Sequence, residues 1–347
     1  MKRRSLKLLK SLFPALVLPL LLASCGKEAK TVEHASTTNQ VTSGTSPATD
    51  KPRPIEFPRD EGAHYEHPIE WWHLSTQLAD TSGKKYAFFF CALSTGRHLV
   101  SLYDKAADKV LTKDYYESLN YTENVHSVTS LSLKWKQADA PFRYNFSYDF
   151  EGMTVALTIK ANKNPFLTGG EGFIAMGKNG VSHTYSLTDL TISGSLSTGN
   201  NPVNVTGTGW LNHQWGKWDW EKDFSQWKWF GVNLDNGVDL MLFNIYKDKE
   251  LIGSHCGYID ANNNQFHKLP SELVTREYYE DASGGKWQKV VELKIPSLKN
   301  TVLTLTSEND LQFVEPQVLW EGSMKAAGTF NGAPVTGTAY GELNRPD

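Results

Sequence analysis

Cysteine is scarce: the 347 residues hold three, Cys25, Cys91 and Cys256. No Cys-x-x-Cys pair and no zinc-type ligand spacing can be drawn from so few. Cys91 and Cys256 stand 165 residues apart, each in an apolar strand-like run. Export would permit them to pair, but the expectation is two buried thiols. Basic runs are also absent, and 35 Lys and Arg face 38 Asp and Glu. A nucleic-acid partner is therefore excluded, because there is no basic stripe to neutralise phosphates. Long apolar patterns of helical period are missing, which argues against a helical bundle. No Gly-x-Ser-x-Gly elbow, phosphate loop or dinucleotide fingerprint occurs. The glycine-rich stretch Gly169-Gly170-Glu171-Gly172 lacks the context for phosphate binding and reads as a flexible loop.

What the chain does have begins with a positively charged start, carrying Lys2, Arg3, Arg4, Lys7 and Lys10. An apolar stretch from Leu12 to Leu22 follows, interrupted by Pro14 and Pro19. It is too short for a confident membrane span and reads as a signal segment over 1–24. Leu22-Ala23-Ser24-Cys25 resembles a bacterial lipobox, which implies cleavage before Cys25 and lipidation of that cysteine. A lipid chain adds about 0.8 kcal/mol of membrane affinity per buried methylene. The expected setting is thus a membrane-anchored lipoprotein on the periplasmic or cell-surface side. Residues 25–55 are mostly Lys, Glu, Thr, Ser, Pro and Ala and are read as a disordered linker, too polar to offset the entropy of ordering. Without the signal the chain carries a net charge of −8.

The rest reads as all-β: rich in Thr, Val, Tyr, Trp and Phe, with turn signals every ten residues or so. Two segments repeat. Trp71-Trp72-His73-Leu74-Ser75-Thr76-Gln77-Leu78 aligns on Trp227-Lys228-Trp229-Phe230-Gly231-Val232-Asn233-Leu234 without a gap. Each copy runs into a glycine turn and then an apolar strand, YAFFFCAL or VDLMLFNIY, which marks a hairpin. A second match, VTGTGW at 205–210 and VTGTAY at 335–340, closes each copy. The expectation is two tandem, lipocalin-like antiparallel β-barrel or sandwich domains, 56–204 and 205–347, with the seam near residues 200–225.

Alternation along a strand then assigns faces. Trp72, Leu74, Thr76 and Leu78 share one face, and Trp71, His73, Ser75 and Gln77 the other. In the second copy Phe230, Val232 and Leu234 are apolar, and Trp227, Trp229 and Asn233 form a mixed face. A mixed aromatic and polar face suits the inside of a ligand-holding barrel; it also suits a solvent face with scattered aromatics. The stretch WLNHQWGKWDW, 210–220, packs four of the chain's eleven tryptophans around His213. His213 and Trp215 are two apart and share a face with Leu211.

IEWWHLSTQL, GVSHTYSLTDL, VTGTGWLNHQWG, FSQWKWFGVNLDNGVDLMLF and LWEGSMKAAGTFNGAPVTGTAYGEL resemble successive blocks of the hydroxyneurosporene synthase (carotenoid 1,2-hydratase) and AttH-like family. The resemblance spans roughly residues 60–344 and implies a tandem lipocalin-like fold. It also implies an apolar substrate held in or between two β-domains, since members hydrate isolated double bonds of carotenoids and fungal relatives promote cycloadditions on polyketides. The family's His-x-Trp pair falls on His213 and Trp215. There are departures. Asn212 stands where the family usually has Asp, His73 replaces a tyrosine after Glu70-Trp71-Trp72, and Thr184-Tyr185-Ser186 replaces Tyr-Tyr-Ser. A family Tyr and Asp after the second hairpin have Asn244, Tyr246 and Asp248 as candidates, with the register open.

Hydration of an unactivated alkene needs a proton donor and a stabilised carbocation; a histidine and a tryptophan face supply them. The candidate catalytic set is His213, Trp215 and Asn212. The candidate substrate-binding set is Trp71, His73, Tyr185, Trp229, Gln214 and Glu70. Cycloaddition and isomerisation need only a shaped pocket, and none of these reactions needs a metal or other cofactor. His64, His67 and His73 are spaced as a conceivable metal site, but no acidic partner completes it and no metal is expected. Glu70 and Glu321 each sit beside tryptophans near a strand start, as glycosidase-like acids or as structural hydrogen-bond partners. The function expected is action on an apolar, isoprenoid or polyketide-like small molecule by hydration, isomerisation or cyclisation. A non-catalytic carrier of an apolar ligand is the alternative.

Overall fold

The computed structural model describes residues 53–199 and 201–347. The signal segment, the lipidation site Cys25 and most of the linker lie outside the described residues. The linker stops short of residue 55, because Arg53 pairs with Asp60 and the Ile55 side chain is buried in the core.

The described chain is all-β, as two curled antiparallel sheets. In the first, the outer strands Lys109–Tyr116, Arg97–Asp104 and Lys85–Leu93 lead to Ile69–Asp80. That strand pairs with Val203–Lys217, and the sheet continues through Leu190–Ser197, Met153–Ala161 and Arg143–Phe150. The second sheet repeats this order. Glu250–Ile259, Asp239–Lys247 and Gln226–Leu234 lead to Ala333–Asn344, then Leu319–Phe330, Thr301–Ser307 and Lys286–Ile295. The repeat seen in the sequence is thus carried by matching strand orders. The seam falls between Lys217 and Gln226 rather than at residue 205. Strand Val203–Lys217 pairs wholly within the first sheet, which it closes against Ile69–Asp80.

The repeated Val-Thr-Gly-Thr has a packing cause. A Cβ on Gly207 would lie 2.0 Å from the Gln77 carbonyl oxygen, and one on Gly337 would lie 2.1 Å from that of Asn233. Gln77 and Asn233 are themselves matched positions of the two hairpins. In both halves the closing strand approaches the hairpin too closely for any side chain, so glycine is required twice.

Each sheet encloses its own core. Trp72, Leu74, Phe88, Phe90, Trp135 and Phe146 fill the first, and Phe230, Val232, Leu242, Val291, Leu293 and Leu305 the second. A third cluster lies between the sheets, with Phe89, Trp210, Trp229, Met241, Phe243 and Tyr340. Far from the seam, Arg143–Phe150 and Met153–Ala161 alternate buried and exposed residues, with one face in water. At the seam, Lys85–Leu93 and Asp239–Lys247 are buried on both faces. That is why YAFFFCAL and VDLMLF are continuously apolar rather than alternating. The mixed faces of the two hairpins therefore look neither into a barrel nor into solvent. They face each other. Cys91 and Cys256 are free and buried.

Candidate functional site

The alternation of strand Val203–Lys217 divides the candidate residues between two places. Leu211, His213 and Trp215 point into the first half; Trp210, Asn212 and Gln214 point toward the seam. His213 lies opposite Trp72 on one neighbouring strand and opposite Tyr185 on the other. Trp215 lies opposite Glu70. So His213, Trp215, Tyr185 and Glu70 come together inside the first half. Asn212, Gln214, Trp71, His73 and Trp229 come together at the seam. The catalytic and substrate-binding candidates therefore do not meet in one pocket: Trp215 lies in the first core and Trp71 and Trp229 at the seam, because successive residues of a strand face opposite ways.

Inside the first half, Glu70 organises a buried network. Its Oε1 is 2.8 Å from His213 Nε2 and 2.8 Å from His64 Nδ1. Its Oε2 accepts the His64 backbone N–H at 3.0 Å. His64 Nε2 continues to Asp60 at 3.3 Å, and Asp60 is held by Arg53 and Arg59. Burial pushes the Glu70 carboxyl up, but the His213 and His64 hydrogen bonds outweigh it and hold the group ionised. Burial likewise draws His64 down, but Asp60 and Glu70 win and raise it. For His213 burial prevails over Glu70, and its tendency to protonate falls. The His64 ring stacks on Trp215 at 3.7 Å, and Trp72 stacks on His213 at 5.2 Å. His213 is wholly buried and lines none of the cavities described below.

Among the described residues, His64, Glu70 and His213 are a His and carboxylate trio with converging donor atoms. Around a tetrahedral zinc, ligand atoms would stand roughly 3.3 Å apart, from bond lengths of about 2.0–2.1 Å. The 2.8 Å separations here are those of hydrogen bonds. The trio imagined from spacing, His64, His67 and His73, does not assemble, because His73 points to the seam.

At the seam, Trp71, His73, Phe89, Trp227, Glu321 and Glu342 line a cavity of about 270 Å³, with the part-exposed Trp220 also on its wall. A narrower recess shares Trp71, His73, Trp227 and Glu342 and reaches Asn212, Gln214 and Trp229. Asn212 Nδ2 donates to His73 Nδ1 at 2.9 Å. Burial lowers the His73 pKa to about 3, so the ring is neutral. Glu321 and Glu342 lie directly opposite each other on neighbouring strands. The Trp227 indole donates to Glu342. Burial raises Glu342 to about 7, against the pull of Trp227 and Glu321. Burial, then the Glu342 charge, raises Glu321 well above the ordinary carboxylate range. Two buried carboxyls in contact cannot both ionise at neutral pH, so the pair keeps a proton.

Sequence reasoning singled out Glu321 and Glu70, each as an acid or as a structural hydrogen-bond partner; Glu70 lies in a different sheet and points into the first half. Glu342, the partner of Glu321, was missed. The signal was present: Tyr340, Glu342 and Asn344 alternate along the strand that begins Val-Thr-Gly-Thr, on the face matching Trp210, Asn212 and Gln214. Asn244 and Tyr246 bond each other at 3.2 Å, away from the seam cavity.

A protein-family model described as AttH-like matches residues 102–345. The fold is similar to a crystal structure of a putative AttH from Nitrosomonas europaea, with a TM-score of 0.74 and 24% identity over 85% of this chain and 98% of that one. It is also similar to kievitone hydratase from Nectria haematococca, with a TM-score of 0.71 and 16% identity over 84% of this chain and 93% of that one. CghA, in a structure with Sch210972, gives a TM-score of 0.54 and 11% identity over 80% of this chain and 88% of that one. No curated protein matches significantly.

Proposed function

The chain belongs to the AttH-like family, and on that premise we propose that it is a hydratase- or isomerase-type enzyme acting on a double bond of an apolar, isoprenoid or polyketide-like molecule in the seam between its sheets. The observation that carries this reading is the buried Glu321–Glu342 pair on the wall of an aromatic cavity, where burial pushes both carboxyls up toward their neutral form. A carboxylic acid kept neutral at pH 7 by burial is a proton donor waiting in place. Its proton passes to one alkene carbon, leaving a carboxylate and a carbocation on the neighbouring carbon. The Trp71 and Trp227 faces stabilise that cation by roughly 0.5–2 kcal/mol each, more where water is excluded. In hydration, water attacks the cation and its extra proton returns to the carboxylate. In isomerisation, the carboxylate instead takes a proton from an adjacent carbon. Both routes regenerate the acid. His73, neutral and oriented by the Asn212 amide that donates to its Nδ1, carries its proton on Nε2, which has no partner and is placed to donate a hydrogen bond to a substrate oxygen. The name kievitone hydratase, borne by a similar fold, accords with a hydratase role. The lipobox-like residues 22–25 support a membrane-anchored setting outside the cytoplasm, where apolar substrates collect.

A second reading puts the acid–base work on His213. It is favoured by the unpartnered polar atoms around that ring: His213 Nδ1, Tyr185 OH, Trp72 Nε1 and both nitrogens of His126. The two readings separate in heavy water. The chain is incubated with an apolar extract of its host in D2O, and products are read by mass spectrometry. The seam reading expects one solvent deuteron in each product, lost in Glu342→Gln and retained in His213→Phe. Deuteration that survives Glu342→Gln and vanishes in His213→Phe transfers the role to His213. No deuteration by the wild type refutes proton-donating catalysis and leaves a carrier.

A further inference from the structure

Residues matched by the repeat ought to be interchangeable in a pair of structural scaffolds. One inner position is not. Trp72 fills the first half and is 1% exposed; its counterpart in the second half is Lys228. Across from Trp72 lies His213, and across from Lys228 lies Leu343. The layer that is aromatic and packed in the first half is polar and open in the second. Lys228, Gln226, Tyr246, Tyr278, Gln288 and Asp347 line a cavity of about 630 Å³ there, with Lys249 and Arg345 also on its wall.

A buried lysine is costly. Burial lowers the Lys228 pKa against the pull of Asp347, so its charge leans on whatever anion is beside it. That anion is the Asp347 side chain. Its Oδ1 takes the Lys228 ammonium and, at 3.2 Å, the Gln226 amide. Its Oδ2 accepts from the Tyr278 hydroxyl at 3.1 Å and from the Gln288 amide at 3.4 Å. The Lys228 ammonium also lies 5.0 Å from the centre of the Tyr246 ring. Four donors from three strands, Gln226 and Lys228 on one and Tyr278 and Gln288 on two others, converge on one carboxylate. For stability alone, a well-packed apolar layer would do as well or better, as the first half shows with Trp72. Gln288 Oε1 is left without a partner on the cavity wall, which a site filled only for structural reasons would avoid.

We propose that the mouth of the second half is a binding site for a small carboxylate, distinct from the seam cavity, and that the Asp347 side chain occupies it as an internal stand-in. Lys228 supplies the charge, Gln226, Gln288 and Tyr278 fix the two oxygens, and Tyr246 walls the ligand's body. A tethered carboxylate competes at an effective concentration in the millimolar range or above. A free carboxylate therefore binds weakly until Asp347 is removed or displaced.

The test uses the full-length chain and butyrate, with neutral butyramide as control, by titration calorimetry. Asp347→Ala is expected to bind butyrate at least tenfold more tightly than the wild type, and butyramide no more tightly. Lys228→Met in the Asp347→Ala background is expected to lose butyrate binding while retaining a cooperative unfolding transition. The proposal is overturned if folded Asp347→Ala gains no affinity, if butyramide binds as well as butyrate, or if binding survives Lys228→Met. Should Lys228→Met fail to fold, Gln288→Leu and Tyr278→Phe in the same background serve instead. Each is expected to weaken butyrate severalfold, and unchanged affinity in both overturns the assignment. None of these residues lies in the seam, so the outcome is independent of the catalytic reading.

Discussion

If the seam carboxyls hold a proton at neutral pH, folding must register it. Glu342 binds its proton more tightly in the folded chain, at about 7 against an ordinary 4.5. Between those two values the folded state therefore carries more protons than the unfolded one. Stability then falls as pH rises through that window and levels off above it. At about 1.4 kcal/mol per pH unit, the loss attributable to this group is roughly 3 kcal/mol between pH 4.5 and pH 7. Other groups contribute as well. His64, raised by its carboxylates, acts in the same direction near neutrality. His73 and His126, both lowered to about 3 by burial, favour the folded state as pH rises from acid. The informative quantity is consequently the difference between the wild type and Glu342→Gln, which keeps the shape and an acceptor for the Trp227 indole but cannot titrate. For a chain of this size, about 2–4 °C accompanies each kcal/mol, so the wild-type midpoint should drop by roughly 6–12 °C relative to the variant from pH 5 to pH 8. Thermal unfolding in a series of buffers at constant ionic strength measures this. Parallel pH profiles for the two proteins would falsify the claim that the pair is protonated, and with it the acid in the proposed mechanism.

Three further outcomes follow from the same geometry. Glu70→Gln weakens the anion that joins His64 and His213, and urea titration should show a loss of about 3–5 kcal/mol. A double-mutant cycle with His213→Ala should show strong coupling, and simple additivity would mean the network is incidental. Gly207→Ala and Gly337→Ala should each destabilise by at least about 2 kcal/mol, because the added Cβ would meet a carbonyl oxygen at 2.0 and 2.1 Å; a neutral effect on unfolding would mean the strands part easily. Trp220→Ala, at a position 38% exposed on the wall of the seam cavity, should leave stability within about 1 kcal/mol while weakening retention of the proposed apolar ligand. Unaltered retention would place the ligand elsewhere.

The all-β class, the tandem repeat and the division of each hairpin into two faces were legible because they rest on local signals. Period-two alternation, the Asp-Asn-Gly turn and the twice-used Val-Thr-Gly-Thr are each written in a few consecutive residues. What those faces meet was not legible. An aromatic and polar face has one composition whether it lines a barrel or opposes a second sheet. Only the packing of the halves shows that Trp71 and Trp227 share a cavity. The same limit divided the site. Asn212, His213, Gln214 and Trp215 are contiguous in sequence and read as one cluster, yet the strand sends alternate members to opposite sides of the sheet. Glu342 escaped notice because its partner Glu321 lies 21 residues earlier, and the alternation that places Glu342 on the seam face does not show what stands opposite it. Their meaning depends on being opposite each other and on the burial that raises both, neither of which a single segment records.

The repeat also accounts for why the proposed chemistry would sit at the seam rather than inside a barrel. Each half presents the same positions to the other. In the first half these are His73, Asn212 and Ser186; in the second, by register, they are Trp229, Glu342 and Glu321. Had both halves kept the first set, the cavity would hold neutral hydrogen-bonding groups and no proton source. Had both kept the second, four buried carboxyls would confront one another at a prohibitive cost in desolvation and repulsion. One acidic pair set against one amide, hydroxyl and neutral-imidazole set avoids both outcomes. It leaves a single dyad facing neutral donors and acceptors that, in the proposed mechanism, would orient a substrate without competing for the charge. Divergence between the halves is thus what turns a duplicated scaffold into a site with one acidic wall. The inner layer diverges in the opposite sense, from Trp72 to Lys228, and in the second half that position lines a polar cavity. Each asymmetry falls where matched strands differ in what they bury, so substitutions that restore symmetry, Glu342→Asn at the seam or Lys228→Trp at the mouth, should each erase one site and spare the other.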